Sequence, residues 1–486
     1  MTNVLAVDLG ATSGRVTLGK YENGNISLEE ISRFNDYVIH EDDDMYWDIN
    51  KIMDYIIDAM IQANQNGGFE SVAVDTWGVD FGLLDKEGKL LRNPVHYRDP
   101  RTEGMLEKAK EYMDLEDLYN ETGIQLMEIN TLFQLLHLKE NESDLYDKTE
   151  KILMMPDLIN YLLTGKMFAE KTIASTTQLF DPKSMDWNEK VISKFQLKRS
   201  LFSDTISAGS KIGKLKKSLN KKLEIDDINV VSIASHDTAS AVLSVPSKVK
   251  NFTFLSSGTW SLLGQELAEP IINKETKSNN LANEVGAGDT ITFLNNITGL
   301  WILEETIRAY KTQGSVYTYN QITDLVENIE EIDCFIDVED ERFGRTGNMP
   351  EIIKDYAIET NQMIPEEPGQ IFKVIYQSLA LKYKQKEMTI SKVSGFINDE
   401  LYIVGGGSNS KILCQMTANA LNKKVIAGPS EATAIGNIAM QLVATEKIES
   451  IDTIRNMLLK TDEIKVYLPE ENNMWEKYYK KYKKLY

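Results

Sequence analysis

Cysteine is almost missing from this chain. Cys334 and Cys414 stand alone in 486 residues, too few for a disulfide framework and not arranged as the C-x-x-C pair of redox or zinc chemistry, which suits a reducing cytoplasm. Histidine is nearly as scarce. His40, His96, His137 and His236 lack the H-E-x-x-H or Cys/His spacing that brings metal ligands onto one face, which argues against a zinc enzyme. No run of 18 uncharged apolar residues occurs, and Asp8 interrupts the N-terminus before a signal-type segment can develop. Basic charge is in deficit: 53 Lys and Arg face 74 Asp and Glu, a net charge of −21, which repels nucleic acid and anionic membrane surfaces. Four Gly-Lys pairs, at Gly19, Gly88, Gly165 and Gly213, are followed by Tyr, Leu, Met and Leu, so none offers the Ser or Thr of a Walker-type phosphate loop.

The composition that remains, 42% hydrophobic and 26% charged, is that of a globular protein with a sizeable core. At roughly 150 residues per domain it accommodates three domains or two large ones. Val4 to Val7 is an apolar run ending in Asp8-Leu9-Gly10-Ala11-Thr12-Ser13-Gly14-Arg15, and Val16-Thr17-Leu18 resumes a strand pattern, so a hairpin with a Gly- and hydroxyl-rich turn is expected. A helix around Ile49 to Ala63 precedes a buried strand at Ser71 to Asp75, an α/β alternation. Asn120 to Gly165 reads as mostly helical, Lys211 to Lys222 as a solvated connection, and Glu41 to Asp44 as a solvated acidic loop. The basic and aromatic Lys477 to Lys484 reads as an amphipathic terminal helix. Asn251 to Thr259 opens the second half as the first opened, with an apolar strand running into a Gly/hydroxyl turn, so two related lobes are expected, residues 1–244 and 245–486. Further on, Leu401 to Val404 enters Gly405-Gly406-Gly407 ahead of a helical stretch from Ile412 to Leu421, an arrangement that offers backbone N–H groups to phosphate or nucleotide.

Each motif has a plain structural reading beside its chemical one. The turn after Asp8 is an ordinary hairpin turn or a phosphate clamp; three such glycine turns at strand ends favour the clamp. Ser235-His236-Asp237-Thr238 places a carboxylate after an apolar run, either as a helix cap or as a base that takes a hydroxyl proton. Asp75-Thr76-Trp77-Gly78-Val79-Asp80-Phe81 combines carboxylates, aromatics and glycine, a composition suited to sugar hydroxyls and ring faces, or simply a strand and turn. His96 to Asp99 could add polar contacts or form an exposed ion pair.

Taken together, these segments, with Ser256-Ser257-Gly258-Thr259-Trp260-Ser261, Asn296-Ile297-Thr298-Gly299-Leu300-Trp301 and Val404 to Gly407, resemble the FGGY carbohydrate kinases of the actin-like ATPase superfamily over nearly the whole chain. The resemblance implies an α/β fold of two RNase H-like lobes flanking a catalytic cleft. The first lobe would carry the sugar site and the phosphate turn, and the second would bind nucleotide. It implies ATP and Mg2+ as requirements, a small-molecule ketose as partner, no nucleic acid or membrane, and a cytoplasmic setting. Residue by residue, Ala11, Thr12, Ser13, Gly14 and Arg15 would contact ATP phosphates, with Asp8 near the metal; Thr259, Gly405 and Gly406 would bind nucleotide. Gly78, His236, Asp237, Thr238 and Asn296 would contact the sugar, with Asp237 the proton acceptor. The implied reaction moves the γ-phosphoryl group to the 1-hydroxyl of L-rhamnulose, with L-fuculose or L-xylulose as rival substrates and a non-catalytic nucleotide switch or a sugar sensor as rival roles. Trp77 or Phe81 is expected to meet the methyl end of a 6-deoxy sugar. Where the family often has Gln after Gly-Leu-Trp-x-Leu, this chain has Glu304, and a carboxylate cannot donate a hydrogen bond as an amide does.

Overall fold

The N-terminal apolar run forms β1 (Thr2–Leu9), whose Val4 to Val7 are fully buried. A strand that is apolar on both faces belongs inside a covered sheet. In the computed structural model, which describes every residue except 43, 226, 462, 471 and 486, β1 is indeed central. Five further strands complete its sheet: β2 (Gly14–Glu22), β3 (Asn25–Phe34), β4 (Ser71–Thr76), β5 (Lys211–Lys214) and β6 (Asn229–Val231), in the order β5-β6-β4-β1-β2-β3. β1 runs antiparallel to β2 and parallel to β4, β4 runs parallel to β6, and β6 runs antiparallel to β5.

A second sheet repeats this scheme with β7 (Thr253–Ser257), β8 (Trp260–Leu267), β9 (Ile291–Thr298), β10 (Glu400–Val404), β11 (Lys424–Ala427) and β12 (Lys465–Tyr467). Its order is β12-β11-β10-β7-β8-β9, and the strand Ala282–Val285 adds a seventh beside β9. β7 is antiparallel to β8 and parallel to β10, β10 is parallel to β11, and β11 is antiparallel to β12. Two sheets of one topology, each opening on a hairpin and followed by parallel strands, bear out the expected α/β fold with two RNase H-like lobes.

The chain divides into two compact units. One comprises Met1–Ser244, Leu267–Phe293 and Ala432–Met457; the other comprises Val245–Glu266, Leu294–Glu431 and Leu458–Tyr486. In the first, the helix Ile49–Gln65 is capped by Asp48, whose carboxylate accepts from the Lys51 amide at 3.0 Å, and buries Ile49, Ile52, Ile56, Ala59, Met60 and Ala63 along one stripe. The helix Ala432–Ala444 also belongs to this unit and packs on the helix Asp237–Leu243. A Cβ at Gly436 would run into the Ser240 carbonyl, so only glycine permits that approach.

Three expectations change. Lys211 to Lys222 is an edge strand followed by the helix Lys217–Leu223, because Ile212 and Leu223 bury against the core between solvated lysines. The stretch from Asn120 to Gly165 is broken by the strand Lys151–Met154, which pairs with Phe81–Leu84. The acidic run lies at a hairpin turn between Val38–Glu41 and Asp44–Trp47, with Asp43 outside the described residues. The terminal helix Asn472–Tyr482 forms as expected, with Trp475, Tyr478, Tyr479 and Tyr482 buried at helical spacing. Among the described residues, no helix is long and apolar enough to cross a membrane.

Candidate active site

In the first unit, strand register gathers the chemistry at the carboxyl ends of β1, β4 and the segment that follows β6. Asp8 is the register partner of Asp75, and Thr76 bridges to His236. Asp8 is also opposite Arg15 on β2, whose guanidinium donates to Asp8 Oδ2 at 2.9 Å. Between them the chain turns through residues 10–13, with the Gly10 amide donating to the Ser13 carbonyl at 2.9 Å and the Tyr37 hydroxyl donating to the Gly10 carbonyl at 2.5 Å. Among the described residues the amides of Ala11, Thr12 and Ser13 have no intramolecular partner, and Thr12 is exposed. Open amides beside hydroxyls are what an anion such as phosphate needs.

Asp75 is fully buried and receives the Asn437 amide at 2.6 Å on Oδ2, while its Oδ1 has no partner. Burial pushes its carboxyl well above the usual range, and the charges of Asp8 and Asp237 push it further, against the pull of Asn437. Asp237 is the first residue of its helix rather than the cap, and its side chain keeps 34% exposure. Its Oδ1 accepts from the Thr238 amide at 2.5 Å and the Thr238 hydroxyl at 3.2 Å. No hydrogen bond reaches Oδ2 among the described residues. Burial raises the Asp237 carboxyl; His236 pulls it back and Asp8 adds to the rise.

The segment after β4 differs from the sugar-facing surface expected of it. Trp77 is 6% exposed and Phe81 8%, so neither ring is free to meet a sugar methyl. Trp77 packs against Trp47 with ring centroids 3.9 Å apart and the planes tilted by 34°, and both indoles donate to Asp80 Oδ2, at 3.0 and 2.7 Å. Gln134 and the Tyr97 amide supply two more donors to Asp80, at 3.0 and 3.1 Å. Burial outweighs the pull of the four donors and leaves Asp80 raised to about 7. This anchor fixes a three-residue turn in which the Asp80 amide donates to the Gly78 carbonyl at 2.9 Å around Val79 at φ +69°. A β-branched residue avoids that conformation. It is held here by Thr131, donating to the Val79 carbonyl at 2.6 Å, and by Thr176, accepting from its amide at 3.2 Å. The turn leaves Gly78 partly exposed.

The second unit carries its own glycine turns. The Gly258 amide donates to the Trp260 carbonyl at 2.9 Å, matching Gly10 and Ser13 in the first sheet. The amides of Leu300 and Trp301 donate to the carbonyls of Gly258 and Thr259 at 3.0 and 3.1 Å, so the helix Trp301–Thr312 starts against this turn. Gly405, at φ +81°, donates to the Pro429 carbonyl at 3.0 Å. A Cβ on Gly407 would overlap the Ser257 hydroxyl, while Gly406 faces open space. Asn296 is on β9 and Glu304 is in the first turn of the helix that follows, where burial and Glu305 raise its carboxyl. The structure thus brings Asp8, the 10–15 turn, His236, Asp237 and Thr238 together in one unit, with Gly78 following β4. It places Thr259, Asn296, Gly405 and Gly406 in the other.

Sequence reasoning missed three participants. Asp75, which composition offers as an acceptor for sugar hydroxyls, is a buried neighbour of Asp8. Its partner Asn437 comes from the far end of the chain. Glu284, which faces His236, sits in Asn283-Glu284-Val285, where no local pattern marks it.

Strand-end carboxylates beside an amide-lined turn, on duplicated RNase H-like sheets, define a phosphotransferase of the actin-like ATPase class. Models of the N-terminal and C-terminal domains of the FGGY family of carbohydrate kinases match residues 3–244 and 253–445, and the chain belongs to that family. It is 39% identical to a rhamnulokinase of Bacteroides thetaiotaomicron, over 98% of this chain and 98% of the relative. It is 34% identical to a rhamnulokinase of Bacillus subtilis, over 96% and 95%. Among solved structures it resembles a xylulose kinase from Lactobacillus acidophilus with a TM-score of 0.82 at 15% identity, covering 100% of this chain and 98% of that one. It also resembles Plasmodium falciparum glycerol kinase with ADP, with a TM-score of 0.81 at 16% identity, covering 100% and 97%. At these identities the structural matches speak for the fold.

Proposed function

We propose that this enzyme phosphorylates L-rhamnulose on its 1-hydroxyl with ATP, giving L-rhamnulose 1-phosphate and ADP, a step of L-rhamnose catabolism in the cytoplasm. The substrate follows from the rhamnulokinases to which the chain is similar along almost its whole length. The chemistry rests on one observation: Asp237 has Oδ1 pinned by Thr238 and Oδ2 open. A carboxylate so fixed accepts the proton of a sugar hydroxyl as that oxygen attacks phosphorus.

The remaining roles are those that the family resemblance implies. Gly78, His236 and Thr238 orient the ketose around Asp237, with Asn296 as a further sugar contact. The open amides of residues 11–13, with Gly14 and Arg15, hold the transferring phosphates as charge develops on them. Residues 245–486 supply the nucleotide contacts through Thr259, Gly405 and Gly406, and residues 1–244 supply the sugar site and phosphate turn. For the metal, the described residues include no group of three His, Cys, Asp or Glu side chains able to hold an ion. Mg2+ in kinases is bound by one or two carboxylates and the substrate phosphates, not by an all-protein cage. Asp8, crowding Asp75 and Asp237 with like charge, fits that single-carboxylate role. When bound, the metal would neutralise phosphate charge.

The test is ADP release with magnesium-ATP over L-rhamnulose, L-fuculose, L-xylulose and D-xylulose, run beside Asp237→Asn. Turnover on L-rhamnulose that falls by about 10² to 10⁴ in the variant is expected. Preference for another ketose moves the substrate, and absence of sugar-dependent turnover ends the reading.

A further inference from the structure

Glu284 lies on the buried strand Ala282–Val285, and its Oε2 faces Nδ1 of His236 at ion-pair distance, 3.3 Å, while neither buried atom makes a hydrogen bond. The opposite ring nitrogen, Nε2, is 3.5 Å from Asp237 Oδ1. The backbone behind the ring is fixed as well. The His236 amide donates to the Thr172 hydroxyl at 3.1 Å, that hydroxyl donates to Glu170 Oε2 at 2.5 Å, and Glu170 Oε2 also accepts from the Ser235 amide at 3.1 Å. Glu284, His236 and Asp237 therefore form a line of buried acid, buried imidazole and half-buried acid that ends at the open carboxylate oxygen.

We infer that Glu284 is a positioning residue, which holds His236 as an imidazolium with both ring N–H groups donating, so that Nε2–H braces Asp237 and keeps it ionised to accept the sugar proton. The inference rests on the role proposed for Asp237. The charge balance around the ring supports it. Burial alone would strip the proton from His236, but Glu284, then Asp237 and Glu170, outweigh it and bring the group up to about 9. Asp237 meets the opposite pressures: burial and the negative charge of Asp8 raise it, Tyr97 is also near, and His236 is the cation that offsets them. Without Glu284 the buried imidazole loses the charge that holds its proton, and Asp237 loses its only cationic neighbour among these groups.

The test uses two readouts on the full chain. In protein labelled at its four histidines, NMR assigns His236 by the signal lost in His236→Asn. The expected result is an imidazolium at neutral pH that becomes neutral in Glu284→Gln and stays charged in Glu284→Asp. In the pH profile of kcat/KM for the ketose, Glu284→Gln should move the acid limb to higher pH by roughly one unit or more. Turnover lost at neutral pH then returns at alkaline pH, and Glu284→Asp falls between. A neutral His236 in the unmodified protein overturns the inference, as does a His236 that stays charged in Glu284→Gln, or a uniform loss of turnover with an unmoved limb. If the unmodified protein shows no ketose-dependent turnover, the proposed function fails on its own, and the NMR arm still decides the pairing.

Discussion

Asp8 and Asp75 stand side by side as register partners at the ends of two parallel strands, one paired with Arg15 and the other sealed in the core against Asn437. Two acids so close cannot be equivalent. The sealed one is driven towards its neutral form, while the one beside the open turn has a guanidinium partner. The same strand ends therefore provide one acid for the site and one that backs it from within.

Gly436 sets how closely the helix Ala432–Ala444 approaches the helix that begins at Asp237. Gly436→Ala forces a methyl group into the Ser240 carbonyl, and overpacking of this kind costs about 1–3 kcal/mol. Urea unfolding should show that loss. Because the displaced helix carries Asp237, kcat should fall with it; a variant with unchanged stability and turnover would contradict the packing described.

Trp77 serves Asp80 rather than the sugar. Trp77→Phe removes one indole donor to a buried acid and should cost about 2 kcal/mol of stability. Preference among ketoses should stay as it was, since the ring is covered and packed against Trp47. Altered ketose preference without loss of stability would return Trp77 to the sugar site.

His96 stacks between Trp47 and Tyr97, at 4.1 and 4.8 Å, and its Nδ1 accepts the Arg98 amide at 2.9 Å. Burial, helped by the charge of Arg98, pushes the imidazole down to about 4. The folded value lies below the unfolded one of about 6.5, so the contribution of neutral His96 is complete above that pH and is lost as pH falls towards 4. It amounts to about 3 kcal/mol. His96→Phe keeps the stack and removes the titration. The gap in unfolding free energy between the two proteins should therefore change across this pH range, in the direction of the unmodified protein losing more on acidification. A constant gap would refute the assignment.

Much of the fold was legible because its signals are local. The apolar runs at Val4 and Phe254 give central strands, the Gly/hydroxyl turns give hairpins, and the periodic apolar residues from Ile49 to Ala63 give a one-sided helix. Asp8 and Asp237 stood out for the same reason, each ending or following an apolar run. Trp77 and Phe81 misled because composition records an aromatic beside a glycine but not which way its ring points. Asn437 and Glu284 were invisible because each is defined only by a partner brought to it by tertiary contact, Asp75 in one case and His236 in the other.

The helix Ala432–Ala444 also bears on how the protein assembles. Its Gln441 donates to the Leu5 carbonyl at 3.0 Å across 436 positions and accepts from the Ser71 hydroxyl at 2.7 Å across 370. A ribosome releases the first sheet long before the residues that cover one of its faces. Contacts so distant in sequence form late and slowly. The acid group at the strand ends is therefore completed near the end of synthesis, when Asn437 reaches Asp75, and a chain stopped at residue 244 lacks the piece that closes its own core.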